Sequence, residues 1–144
     1  MTISLGADHA GFALKEDVRR FLEKKGVTIH DHSPTLVPGD DYPSVALKVA
    51  KAVRSGIQQR GILICGTGIG MSIAANRLHG VRAATTTSVK GAKLSREHND
   101  ANILALGSRL ISPLLAKRIV QAWLSTHASH DPRHERRVKA LDAV

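Results

Sequence analysis

The sequence predicts an α/β fold, one three-layer, doubly wound domain built on a five-stranded parallel sheet. Three observations predict it. Apolar runs of strand length alternate with amphipathic stretches of helical length throughout the 144 residues. The interior must be aliphatic, because Phe12, Phe21, Tyr42 and Trp123 are the only aromatic residues of the benzene and indole type. A Val/Ile/Leu/Ala core suits a parallel sheet covered by helices on both faces. Finally, the apolar run Ile62-Leu63-Ile64 passes through Cys65 and the turn Gly66-Thr67-Gly68-Ile69-Gly70 into a helical segment of small and apolar residues, Met71 to Asn76. Such a strand–glycine turn–helix unit leaves several backbone N–H groups unpaired at one point, beside the positive end of a helix dipole, and so forms a site for an anion.

The elements follow in order. Thr2 to Leu5 is a short apolar strand, followed by the turn Gly6-Ala7-Asp8-His9-Ala10-Gly11. Phe12 to Lys25 carries Leu14, Val18, Phe21 and Leu22 on one helical face, and Gly26 ends it. Val27 to His30 is the second strand. Asp31 to Pro43 is the longest polar connection and contains Pro34, Pro38 and Gly39. Tyr42 to Arg54 is a helix with Val45, Val49, Ala52 and Val53 inward. After the third strand and its helix come a fourth strand, Val81 to Thr86, and a helix from Val89 to His98. The fifth strand spans Ala101 to Leu106. Pro113 to Thr126 is a long helix whose Leu114, Leu115, Ile119, Val120 and Trp123 can face the core, and Arg133 to Ala143 is the last helix. The whole is a Rossmann-like domain over residues 1–144, with no internal repeat, and strand order 2-1-3-4-5 is the expected topology.

In such a sheet the chemistry lies beyond the carboxyl ends of the strands, where strand order reverses. For the expected order that point falls between strands 1 and 3. Strand 1 delivers Asp8 and His9 there, and strand 3 delivers Cys65 and the glycine loop. Each residue also has a plain structural reading. Asp8 suits the N-cap of the following helix, His9 a solvated loop, Thr67 a cap, and Cys65 a buried thiol. Beside a helix N-terminus, however, a cysteine is more readily held as the thiolate, which serves as base or nucleophile.

Two further constellations are polar. Ser95 to Asn102, with His98 and Asn99, ends a helix that runs back from the carboxyl edge of the sheet. His98 therefore belongs at the amino edge, out of reach of Cys65 in its own subunit. If it is catalytic it serves a symmetry-related partner, which makes a dimer the minimal functional unit. Arg133 and Arg137 stand four apart and point from one helical face, a pair suited to phosphate oxygens or to a solvated basic tail. Arg109, just past strand 5, is a further candidate phosphate ligand. No His/Asp/Glu spacing reads as a metal site, and no G-x-G-x-x-G follows strand 1, which argues against a dinucleotide.

Composition limits the remaining classes. The formal charge of +9 admits nucleic acid or small anions as partners. No aromatic interleaving or binding motif supports the first. No apolar run has the length of a membrane span, and one cysteine forms no intrachain disulfide, so the cytoplasm is the expected compartment.

The stretches GADHAGFALK from Gly6, DYP from Asp41, GILICGTGIGMSIAAN, LSREHNDANILALGSR from Leu94 and RHERRV from Arg133 together resemble the ribose-5-phosphate isomerase B family, which includes allose-6-phosphate and galactose-6-phosphate isomerases. The resemblance implies a cofactor-free and metal-free aldose–ketose isomerase of phosphosugars, with two sites per homodimer and pairing into tetramers left open. It implies Cys65 as the base between C1 and C2. Thr67 and the N–H groups of Gly66, Gly68, Ile69 and Gly70 would hold the enediolate oxygen. Asp8 and His98 would assist ring opening, Asn99 would orient substrate, and Tyr42 would line the pocket. His9, Arg109, Arg133 and Arg137 would hold the phosphate. Two loops depart from the family pattern, His32 to Asp40 and Thr85 to Gly91, so ribose 5-phosphate stands beside hexose and tetrose phosphates as substrate. A basic nucleotide- or nucleic-acid-binding domain and a cysteine-nucleophile enzyme are the competing classes.

Overall fold

The computed structural model describes residues 1–144. Its elements run β1 (Thr2–Ala7), α1 (Phe12–Glu23), β2 (Thr28–Asp31), α2 (Tyr42–Arg54), β3 (Arg60–Cys65), α3 (Ile69–Ala75), β4 (Ala83–Thr85), α4 (Val89–Asn99), β5 (Ile103–Gly107), α5 (Pro113–Ser125) and α6 (Pro132–Asp142). All five strands are parallel in one sheet.

The strand order is 2-1-3-5-4, in which the last two strands are exchanged relative to the expected 2-1-3-4-5. Burial explains it. All five residues of β5 are buried, whereas β4 is three residues long and none of them is. A strand apolar on both faces must sit inside the sheet, and a short, half-exposed one is tolerated at the edge. The reversal of order between β1 and β3 is unaffected.

Alternation along the strands divides the core in two. Ile62 and Ile64 of β3, with Leu104 and Leu106 of β5, face α1, α4 and α5, where Leu14, Val18, Ile119 and Trp123 are buried. Leu63 and Cys65, with Ile103 and Ala105, face α2 and α3, where Val45, Val49 and Met71 are buried. Both clusters are almost wholly aliphatic.

Three of the helices, α4, α5 and α6, begin at side-chain caps. Ser88 and Ser112 accept the backbone N–H groups of Gly91 and Leu115, and Asp131 accepts that of Arg133. Proline stands in the first turn of α2, α5 and α6. Asp100, at φ 45° and the only non-glycine residue with positive φ, ends α4. The Ala101 N–H then bonds back to Ser95 O, so β5 starts at Ile103 rather than at Ala101. Helix α6 has no buried residue. It rests against α4 and is tied down by Arg82, whose Nη1 donates to both carboxylate oxygens of Asp142 at 2.8 Å. No helix is long and apolar enough to cross a membrane.

Candidate active site

The carboxyl ends of β1 and β3 open into a cleft of about 480 Å³. Asp8, His9, Tyr42, Cys65, Arg109 and the loop residues Gly66, Thr67, Ile69 and Gly70 all line it. Nine of the fourteen residues singled out from sequence therefore converge here, with Gly68 inside the same turn.

Close backbone packing shapes the cleft. A Cβ on Gly11 would lie 2.1 Å from Ile64 O, so only glycine lets the β1–α1 turn press against β3. The Asp8 N–H reaches Ile64 O at 3.3 Å, and Asp8 Oδ1 accepts the Gly11 N–H at 2.9 Å. The capping and the functional readings of Asp8 are thus compatible. One oxygen is fixed by the turn, while the residue, 6% exposed, borders the cleft.

The glycine loop is the centre of the cleft. Gly68 has φ +77° and its Cα packs against the Leu106 backbone, a position closed to other residues by both conformation and space. From there its N–H donates to the Cys65 Sγ at 3.1 Å. Cys65 is 5% exposed. The backbone N–H groups of Gly66, Thr67 and Gly70 find no acceptor within the chain. Thr67 Oγ1 accepts the Ile69 N–H at 3.3 Å. Three free N–H groups around a sulfur that itself receives one form a concavity for negative charge on a small ligand.

The walls are tied to this loop. Ser108 and Arg109 donate their backbone N–H groups to Cys65 O and Gly66 O at 2.8 and 3.0 Å. The Arg109 guanidinium lies against Gly66, with Nη1 2.9 Å from where a Cβ would stand. The Tyr42 ring covers Gly70 in the same way, at 2.6 to 2.8 Å. A side chain at either glycine would drive its neighbour out of the cleft.

His98, Asn99, Arg133 and Arg137 lie elsewhere. Asn102, just past α4, accepts the Gly61 N–H through its backbone oxygen at 2.9 Å, which puts the end of α4 beside the start of β3. Cys65 is four residues further on, about 13 Å along the strand. His98 lines a second cleft of about 410 Å³ with His134, and the two rings stack 4.3 Å apart and 11° from parallel. Arg133 is exposed and donates to the Asp131 carboxylate from Nε and Nη2, at 3.2 and 2.7 Å. That ion pair raises the Arg133 pKa and holds the Asp131 carboxyl well below the usual range. The edge-of-sheet geometry expected for His98 is what the fold contains.

Three features escaped the sequence reading. Ile73 lines the cleft one turn beyond Ile69. Asp40 Oδ1 accepts the His9 backbone N–H and lies 3.0 Å from His9 Nδ1. Lys15 is completely buried and donates to Asp31 Oδ2 and to Ser33 O, both at 2.6 Å. The helical spacing of Ile69 and Ile73 could have revealed the first. Pro38-Gly39 marks the turn that carries Asp40 but not its partner, and nothing local signals Lys15.

Fold and cleft together define a doubly wound α/β protein with a cleft at the reversal of strand order, lined by one cysteine and by a glycine loop with unpaired N–H groups. The family described as Ribose/Galactose Isomerase matches residues 3–141. Ribose-5-phosphate isomerase B of Escherichia coli (strain K12) is 46% identical over 142 residues, covering 99% of this chain and 95% of that protein. D-erythrulose-4-phosphate isomerase of Pectobacterium atrosepticum is 46% identical over 128 residues, 86% of this chain and 82% of its own. The solved structure of Clostridium thermocellum ribose-5-phosphate isomerase B superposes with a TM-score of 0.96 at 48% identity, covering 99% of this chain and 96% of that one. The chain belongs to the ribose/galactose isomerase family and is an aldose–ketose isomerase.

Proposed function

We propose that the protein interconverts ribose 5-phosphate and ribulose 5-phosphate by proton transfer through an enediolate, with Cys65 as the base. The observation that carries this reading is the Gly68 N–H donated to Cys65 Sγ beside the free N–H groups of Gly66, Thr67 and Gly70. The Cys65 thiolate removes the proton on C2, and the electron pair left behind forms the C1–C2 double bond as the C1 carbonyl becomes an oxyanion. The loop N–H groups and Thr67 hold that oxygen, the proton on O2 passes to O1, and the thiol, its proton open to exchange with solvent, protonates C1 as C2 becomes the carbonyl. A base and a preorganised oxyanion site in one place are what this step requires.

The phosphate is held by His9 and Arg109 from one subunit and by Arg133 and Arg137 from a second copy. That copy also supplies His98, which with Asp8 opens the sugar ring, and Asn99, which orients the open chain. Support for a shared site in a homodimer comes from two facts. The His98 end of α4 is remote from Cys65, and α6 has no buried residue of its own. The binding energy of a remote phosphate orients the reacting carbons. The domain spans residues 1–144, needs no metal or cofactor for this proton transfer, and works in the cytoplasm.

A second reading, a four-carbon aldose phosphate as substrate, is favoured by the equal identity to D-erythrulose-4-phosphate isomerase. Ketose formation from four-, five- and six-carbon aldose phosphates, with EDTA present and Cys65→Ala alongside, separates the readings. Turnover of the five-carbon sugar, unchanged by EDTA and abolished in the variant, is the expected result. Turnover of the four-carbon sugar alone would replace the first reading by the second, and activity retained in Cys65→Ala would remove the cysteine from its role.

A further inference from the structure

The loop between β2 and α2 contains Val37-Pro38-Gly39-Asp40, closed by the Asp40 N–H donated to Val37 O at 3.3 Å. Gly39 has φ +68°. Proline followed by a positive-φ glycine is the requirement of a type II turn, so the sequence itself fixes where Asp40 stands. Its Oδ1 accepts the His9 backbone N–H at 2.8 Å and lies 3.0 Å from His9 Nδ1. One carboxylate oxygen thus holds both the backbone and the ring of a single residue.

An ionised carboxylate only accepts hydrogen bonds, so Nδ1 carries the proton in this pair. The bond made by one imidazole nitrogen determines what the other can do. Nε2 has no partner within the chain, and the ring, 43% exposed where Asp40 is 20% exposed, lines the cleft. Asp8, Tyr42, Cys65 and Arg109 are the other ionisable side chains around that cleft. No step of the isomerisation needs Asp40.

We infer that Asp40 is a positioning residue that presents His9 Nε2 to the phosphate of the sugar, an inference that rests on reading the cleft as a phosphosugar site. In the bound state the ring is the imidazolium, lying between two anions. Nδ1–H donates to Asp40 and Nε2–H to a phosphate oxygen, the second proton coming from solvent or from the phosphate monoanion. Hydrogen bonds between charged groups of this kind are the strong ones. Asp40 therefore acts on binding and not on the proton transfer at C1 and C2.

Asp40→Ala and Asp40→Asn test this, because asparagine keeps an acceptor oxygen while losing the charge. In Asp40→Ala the KM for the phosphosugar and the inhibition constant of inorganic phosphate each rise about tenfold, the worth of one hydrogen bond to a charged group, with kcat within about twofold. Asp40→Asn recovers part of both losses. Nitrogen-15 NMR shows His9 protonated at Nδ1 in the parent protein and in Asp40→Asn, and redistributed between Nδ1 and Nε2 in Asp40→Ala. KM and phosphate inhibition unchanged in a folded Asp40→Ala protein would overturn the role, as would an unaltered His9 tautomer. If the parent protein turned over no aldose phosphate, the reading of the cleft would fail instead, and the NMR comparison would still report on the Asp40–His9 pair.

Discussion

The Gly68 N–H donates to the Cys65 sulfur across 3.1 Å, from a backbone conformation at φ +77° that favours glycine. Strand end, turn and helix start are thereby closed around one atom. The closeness of Gly107 to the Thr67 backbone, and of Gly68 to Leu106, sets that loop directly on β5.

Gly107→Ala tests the precision of this packing. Its Cβ would stand 2.6 to 2.7 Å from backbone atoms of Thr67, which cannot swing aside as a side chain does. Overpacking of this sort costs about 1–3 kcal/mol, and displacing the loop lowers kcat by about a hundredfold. Gly26→Ala is the control. Nothing lies within 4 Å of its Cβ, but φ is +77°, so stability falls by about 1–2 kcal/mol and kcat is unchanged. Urea unfolding and steady-state kinetics on both variants measure the contrast.

A shared site predicts complementation. Cys65→Ala and His98→Ala are each inactive, yet mixing them at equal amounts under subunit exchange restores about one quarter of parental activity. Half of the dimers are then mixed, and each mixed dimer has one of its two sites intact. Continued inactivity of the mixture, with exchange demonstrated by mass, would assign His98 to another role.

The buried Lys15 predicts a stability effect remote from the chemistry. Its Nζ bonds to Asp31 and Ser33, and Ser33 Oγ accepts the Ala7 N–H at 2.8 Å, at the last residue of β1 before Asp8. Lys15→Met leaves Asp31 without its buried partner and costs about 3–5 kcal/mol. Adding Asp31→Leu recovers part of the loss, which a double-mutant cycle in urea measures.

How far the sequence alone reaches can be traced through such residues. The apolar stretches of β1, β3 and β5 and the glycine turn after Cys65 act locally, through period and backbone freedom, so the fold class and most of the cleft could be read directly. The neighbour of β3 could not, because the sequence marks β4 and β5 alike as strands, and their relative burial emerges only from packing. Lys15 and Asp40 act on residues 16 to 31 positions away in sequence, Asp31 and His9. The resemblance to a family carried the roles of His98, Asn99, Arg133 and Arg137, which the fold leaves outside the cleft of their own chain.

His32 predicts a pH dependence of stability. Burial lowers its pKa from the ordinary 6.5, His30 and Lys48 push the same way, and Asp31 opposes them. Its Nε2 lies 2.6 Å from Ser4 Oγ. The unfolded chain therefore takes up the proton first as pH falls, so stability declines below about pH 6.5 and levels off beneath the folded-state value. Thermal unfolding between about pH 8 and 5 shows this decline, and His32→Gln makes it shallower.

Isomerisation in deuterium oxide tests the central claim most directly. A proton carried by Cys65 through an enediolate exchanges with solvent, so NMR of the product finds deuterium on C1, and substrate recovered before equilibrium contains it on C2. Cys65→Ala shows neither turnover nor exchange. Product formed without solvent label, or exchange persisting in the variant, would contradict the account.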